Sequence, residues 1–309
     1  MLSAVEQSVG PRGRDLGNRT FVAVLSTILV VFLVASALVL LSNIWYLARG
    51  TAEGRVSGWE VFVASLKSPE NRFSIKLSIF SALLTTVLSM FVGIPAAYIL
   101  SRYRLPGHTV IDTVLDLPIV CPPPVMGISL LILFQTPLGV LVNEATPQWF
   151  VDAVNRLFSL VLAHPIQDPK DWVYTTRGII LAQFFIACSF GTRAIKATFD
   201  TIGTRHEEVA RTLGCTRRQA FFRVVLPMAR TGIVAGAVMT WARAIAEFGP
   251  ILFFCGATRG KSDVMPIAMF LNFSVGRIEQ SVALVIVMLL ISVVTLLAFK
   301  KLGGKGYLW

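Results

Sequence analysis

Ionisable residues are scarce in this chain. Only 15% of its 309 residues are charged, 28 basic against 17 acidic, and histidine occurs three times. With 55% hydrophobic residues, too little polar surface remains to clothe a soluble domain of this length, so a bilayer-embedded chain is implied. The four cysteines have neither the spacing of a disulfide framework nor that of a zinc site: Cys121, Cys188 and Cys255 fall in or beside apolar runs, and Cys215 stands alone in a basic loop. His108, His164 and His206 are isolated from one another and from any cysteine cluster. No nucleophile, base and metal ligands gather in sequence, which argues against a membrane enzyme; no catalytic residue, metal or cofactor is expected. A complete phosphate-cradling loop is missing too. Gly256-Ala-Thr-Arg-Gly-Lys-Ser262 comes within one residue of G-x-x-x-x-G-K-[ST], but only three residues separate its glycines and Cys255 stands where the first glycine should be.

What the chain does have is apolar runs. A hydrocarbon core of about 30 Å takes about 20 residues of helix, and six stretches qualify, near 20–42, 75–100, 115–134, 178–198, 230–254 and 281–299. The first exceeds the 7–15 residues of a signal-peptide core and is read as a retained helix. Basic residues mark cytoplasmic loops. With the N-terminus inside, Arg12, Arg14, Arg19, Arg102, Arg104, the run from Arg193 to Arg230, Lys300, Lys301 and Lys305 all fall on the cytoplasmic side. The net charge of +11 thus reads as topology rather than as a nucleic-acid surface, and Gly256–Ser262 falls outside, away from cytoplasmic ATP.

The expected architecture is an all-α integral membrane protein with six transmembrane helices and both termini cytoplasmic. A tail, 1–19, precedes the first transmembrane helix, 20–42, and an external segment, 43–74. A core domain, 75–300, holds five more spans, an external insertion at 135–177 and a cytoplasmic loop at 199–229, and a tail, 301–309, follows. In the insertion, Thr146-Pro147 reads as an N-cap with proline at the first helical position. The helix that follows is amphipathic: Asp152, Asn155, Arg156 and Ser159 share one stripe, with Phe150, Val151, Val154, Leu157, Phe158 and Val161 opposite. It is expected to lie in the outer interface or to cap the spans.

Pro122, Pro123 and Pro124 open the third span and forbid regular helix there. Irregular backbone at membrane depth needs protein or a water-filled cavity beside it, so a bend in a packed helix and a pathway wall both stay open. Arg243 and Glu247, four residues apart on one expected helix face, form the clear intramembrane ion pair.

Between spans four and five runs HEEVARTLGCTRRQAFFRVVLPMAR, His206 to Arg230. Its first part is a short helix that Gly214 can end. A second helix follows, setting Arg217, Arg218 and Arg223 against Phe221, Phe222, Val225 and Leu226, and Pro227 precedes the next span. This loop resembles the EAA signature of the permease subunits of bacterial ABC importers: Glu208, Ala210, Gly214, Leu226 and Pro227 keep the spacing, while Val209 and Val224 depart from it conservatively. The stretches Asp116 to Phe134 and Trp241 to Leu271 are similar to the molybdate permease subunits, whose relatives carry tungstate or sulfate.

That resemblance implies a type I permease fold in the inner (plasma) membrane. It also implies two copies of the chain around a pathway, two ABC ATPase subunits docked below, and an external binding protein delivering the oxyanion. Glu207, Glu208, Ala210, Leu213 and Gly214 would then dock the ATPase, and Pro122, Pro123, Pro124, Arg243, Glu247 and Gly249 would border the translocation pathway. A sulfate or thiosulfate permease is the leading alternative. A stand-alone secondary transporter or channel is another.

Overall fold

A computed structural model describes residues 11–49, 58–103 and 105–302. Arg104 and Lys305, which entered the topology argument, lie outside the described residues, and of Arg12, Arg14, Lys300 and Lys301 only the backbone is described. Every regular element among the described residues is helical. The chain forms two compact units, Met1–Phe62 and Val63–Trp309.

The first unit is dominated by α1 (Pro11–Ala48), whose 30-residue stretch Arg19–Ala48 exposes apolar side chains on every side. A helix apolar all round has no face suited to water, and 30 residues at 1.5 Å each exceed a hydrocarbon core of about 30 Å. In sequence α2 (Gly58–Lys67) comes next.

The second unit contains α3 (Pro69–Arg102), α4 (His108–Val120), α5 (Pro123–Gln135), α6 (Pro137–Ala145), α7 (Gln148–Leu162) and α8 (Thr176–Ile202). After these come α9 (Arg205–Thr212), α10 (Arg217–Ala220), α11 (Leu226–Met228), α12 (Arg230–Ile245), α13 (Gly249–Phe254), α14 (Met265–Ser274) and α15 (Ile278–Leu302). Among the described residues four helices, within α1, α3, α8 and α15, are long and apolar enough to cross a membrane. Their starts follow local rules: Ser68 caps α3 by accepting from the Asn71 N–H with Pro69 behind it, and Thr175 caps α8 by accepting from the Gly178 N–H.

The expected third and fifth spans are not continuous helices. The α4–α5 pair is bent by 113° at Cys121–Pro122, because three successive prolines offer no N–H to carry a helix forward. The fifth also departs at both ends. The stretch Arg217–Met228 meets α12 at 71°, and α12 stops at Ile245, so that Ala246, Glu247 and Phe248 form a break before α13 restarts at Gly249-Pro250.

Helices α3, α8 and α12 form the tightest layer. Gly191 faces Thr240 and Gly232 faces Thr198 so closely that a β-carbon at either glycine would overlap the threonine hydroxyl. Small residues let helices approach where lipid supplies no hydrophobic drive. Gln183, almost fully buried, joins all three: it accepts from the Thr85 hydroxyl (2.9 Å) and donates to the Ala244 carbonyl (3.0 Å) and the Ser81 hydroxyl (3.3 Å). A buried amide satisfied on both ends fixes rotation as well as distance.

The insertion packs on this layer. Phe158 and Leu162 of α7, with Val154 packed beside them, share one apolar cluster with Phe73, Leu77, Ile179 and Phe254, while Asn155 and Ser159 hold the irregular segment that follows through the Asp168 carbonyl (3.1 Å) and the Ile166 N–H (2.8 Å). Buried Arg177 donates to the Pro169 and Asp171 carbonyls and pins the same segment. Two details differ from expectation. Thr146 is the C-cap of α6, its hydroxyl donating to the Val142 carbonyl, and Pro147 takes the N-cap position of α7. Leu157, expected among the apolar contacts, is 42% exposed.

Candidate functional site

Helix α9 carries two acidic residues in its first turn, Glu207 and Glu208, favoured beside the free N–H groups there. It ends in a Schellman turn. The Cys215 N–H reaches the Ala210 carbonyl (3.1 Å) and the Gly214 N–H reaches the Arg211 carbonyl (3.0 Å), with Gly214 at φ +90°. Thr216 and Gln219 then form a capping box that starts α10. A wide π turn, Phe221–Val225, leads to Pro227, and the Leu226 N–H bonds the Phe221 carbonyl.

The residues expected to dock a partner divide into two sets. Glu208, Leu213 and Gly214 are exposed, Leu213 by 81%, and Val209, absent from the expectation, joins them at 51%. They make an acidic and apolar knob. Glu207 and Ala210 instead turn inward: Ala210 is buried, and Glu207 accepts from Arg102 Nε (2.5 Å) and from the Tyr98 hydroxyl (2.8 Å). The 100° step per residue in a helix makes this inevitable, since 207 and 210 share one face and 209 and 213 another. That signal was available in the sequence.

The prolines and Gly249 meet at a second place. Helices α5 and α13 cross near their first turns in reciprocal glycine–proline contacts. A β-carbon on Gly127 would come within 2.7 Å of Pro250 Cα, and one on Gly249 within 2.8 Å of the Pro124 nitrogen. Just before α13, Arg243 Nη1 lies 2.6 Å from Glu247 Oε2, with Glu247 fully buried and the guanidinium 5.6 Å from the Phe190 ring centre. The two are not on one helix face as expected, because Glu247 lies beyond the end of α12.

The loop Gly256–Ser262 is closed on itself. Its Thr258 N–H bonds the Ser262 hydroxyl (3.0 Å), the Gly260 N–H bonds Asp263 Oδ1 (3.0 Å), and the N–H groups of Lys261 and Ser262 both reach the Thr258 carbonyl (3.2 and 3.0 Å). Lys261 Nζ faces buried Asp168 at 3.6 Å, and Arg259 pairs with Glu70 and Asn272. The amides and cations that a phosphate would recruit are thus occupied within the chain. Burial pushes the Asp263 carboxyl up to about 6, against the pull of the Gly260 N–H, the Ser74 hydroxyl and the Arg259 guanidinium.

Arg259 pairs with Glu70 and Asp263 with Ser74, in the first turns of α3, whereas Glu207 pairs with Arg102 in its last. At 1.5 Å per residue the Gly256–Ser262 loop and α9 therefore sit roughly 45–50 Å apart along one helix.

Residues 89–303 match the family described as binding-protein-dependent transport system inner membrane component. The chain belongs to that family. It is 29% identical over 247 residues to the sulfate transport system permease protein CysT of Escherichia coli (strain K12), covering 80% of each chain. It is 30% identical over 243 residues to the molybdate/tungstate transport system permease protein WtpB of Thermococcus kodakarensis, covering 79% of this chain and 84% of the relative. Among solved structures it resembles a bacterial ABC transporter involved in import of the acidic polysaccharide alginate, with TM-score 0.67, 19% identity and 95% and 99% coverage. Membership of an ABC permease family and a transport rather than an enzymatic role are thereby borne out.

Proposed function

We propose that this chain is the pathway-forming permease subunit of an ABC importer for a tetrahedral oxyanion, molybdate or tungstate in the first place. Two copies surround the pathway in the lipid of the inner membrane, each crossing it six times if every bent pair is one span, with both termini inside. Each copy docks one ATPase subunit through the knob formed by Glu208, Val209, Leu213 and Gly214, and an external binding protein delivers the anion to the face carrying the 135–177 insertion. Glu207 and Ala210 act from behind that knob. Pro122, Pro123, Pro124, Gly249 and the Arg243–Glu247 pair border the route, and the domain limits follow those spans.

The observation that carries this reading is the knob itself: a short acidic-led helix ended at Gly214, at the opposite end of α3 from the closed Gly256–Ser262 loop. Sulfate is the second reading, favoured by the similarity to CysT over the same share of the chain. Dianions of one shape and charge differ too little in recognition chemistry for the fold to choose between them. Competition uptake with the assembled transporter tests both. Trace molybdate uptake should resist an equal concentration of sulfate; displacement by sulfate assigns the second reading, and failure of any ATPase subunit to copurify with the chain overturns both.

A further inference from the structure

Arg102 is 6% exposed in its side chain and touches the ends of three helices at once. It is itself the last residue of α3. Its Nη1 donates to the Phe199 carbonyl (3.0 Å) and its Nη2 to the Gly203 carbonyl (3.1 Å), both at the C-terminal end of α8. Its Nε donates to the Glu207 carboxylate in the first turn of α9 (2.5 Å), and the Tyr98 hydroxyl holds the second oxygen of that carboxylate at 2.8 Å. Every charge stands where the dipoles favour it: the cation at two carbonyl-rich helix ends, the anion at an N–H-rich one. The planar guanidinium fork is what permits three directions of bonding from one group.

The consequence is mechanical. Ala210 packs inward on the same face as Glu207, so α9 cannot shift without carrying the carboxylate, and the carboxylate cannot shift without carrying the ends of α3 and α8. We propose that Arg102, gripped by the Glu207 carboxylate that Tyr98 steadies, is the positioning residue that transmits displacement of α9 to the membrane helices, making this guanidinium the joint between the partner-facing knob and the α3–α8–α12 layer. The inference rests on the reading of α9 as the ATPase-facing helix. It differs from docking itself, since the groups of the joint face away from the knob.

The test uses the full transporter with its ATPase and binding protein, in Glu207→Gln, Arg102→Lys and the double variant. Glutamine keeps the shape of Glu207 without its charge, and lysine keeps the cation but cannot fork. Membrane abundance, ATPase copurification, hydrolysis and uptake are measured together, and the readout is anion imported per ATP hydrolysed. A joint predicts normal abundance and copurification, continued hydrolysis, and a fall of about tenfold in imported anion per ATP in each single variant, the factor expected for one lost charge-assisted contact. The double variant should fall no further than the singles, because both changes cut one linkage. An unchanged ratio in either single variant overturns the proposal, as does a loss of uptake that only tracks lower abundance or lost ATPase. If the wild-type complex itself carries no ATPase, the reading of α9 fails instead, which the copurification arm reports separately.

Discussion

Lys261 points its ammonium at Asp168, 3.6 Å from a carboxylate that is almost wholly buried. The lysine that makes Gly256–Ser262 look like a nucleotide loop is thus the counter-charge of the segment between α7 and α8, where the other Asp168 oxygen accepts from the Thr176 N–H (2.6 Å). Lys261→Ala should leave nucleotide binding and hydrolysis by the assembled transporter unchanged while destabilising the chain by about 1–3 kcal/mol, the cost of stranding a buried acceptor. Thermal unfolding of the solubilised protein and photo-crosslinking with an ATP analogue check the two halves; labelling at this loop would refute the first.

The Gly214 turn makes a conformational prediction. A β-carbon there would meet nothing within 4 Å, yet φ is +90°, so Gly214→Ala costs on the order of 1 kcal/mol through the backbone alone. Gly214→Pro cannot adopt the turn at all. Glu208→Lys leaves the fold intact and reverses the charge of the knob. Stimulation of hydrolysis by loaded binding protein should drop slightly in Gly214→Ala and be lost in Gly214→Pro and Glu208→Lys, with membrane abundance unchanged in all three.

At the crossing of α5 and α13, Gly127→Ala and Gly249→Ala each force a methyl group into proline backbone. Overpacking of this kind costs about 1–3 kcal/mol, so both variants should melt lower than wild type and import more slowly. An unaltered melting point in either would mean the two helices do not approach as described.

Removing Arg243 alone leaves Glu247 buried without its cation. Arg243→Ala should therefore be the costlier single change, by about 3–5 kcal/mol, and Arg243→Ala/Glu247→Ala should recover part of that loss. Wild-type uptake by the double variant would dismiss a role for the pair in the route.

Asp263 gives a pH signature. Its folded carboxyl titrates near 6, above the ordinary 3.9 or so, hence the folded state binds more protons between those values. The stability this group contributes is present in full below about pH 4 and is lost as pH rises through about 6. Asp263→Asn should flatten that part of the stability profile measured by thermal unfolding from pH 4 to 7.

The sequence made the local features legible. Apolar run length marked α1, α3, α8 and α15, the three prolines marked a disruption, and the Glu208-to-Gly214 spacing marked the knob. What escaped it depends on distance along the chain. Arg102 and Glu207 are 105 residues apart and meet only when α3 and α8 pack. The prolines told of a break between α4 and α5, but proline chemistry fixes only where helix stops and not the 113° at which it resumes. The break at 246–248 carried one unused signal, the Gly249-Pro250 dipeptide, a common punctuator. Separating Glu207 from Glu208 needed only helical phase.

The close seating of Gly191 under Thr240 and Gly232 under Thr198, with Gly93 of α3 against Thr192 of α8, leaves α3, α8 and α12 little slack to bend against one another. Such a stack behaves as a lever. Helix α8 is 27 residues long, roughly 40 Å at 1.5 Å per residue, so turning the stack by about 10° around the Arg102 end sweeps its far end through about 7 Å. A sweep of that size exceeds the width of a tetrahedral oxyanion, and it needs no strain inside the stack, only yielding at the bend between α4 and α5 and at the breaks before and after α12.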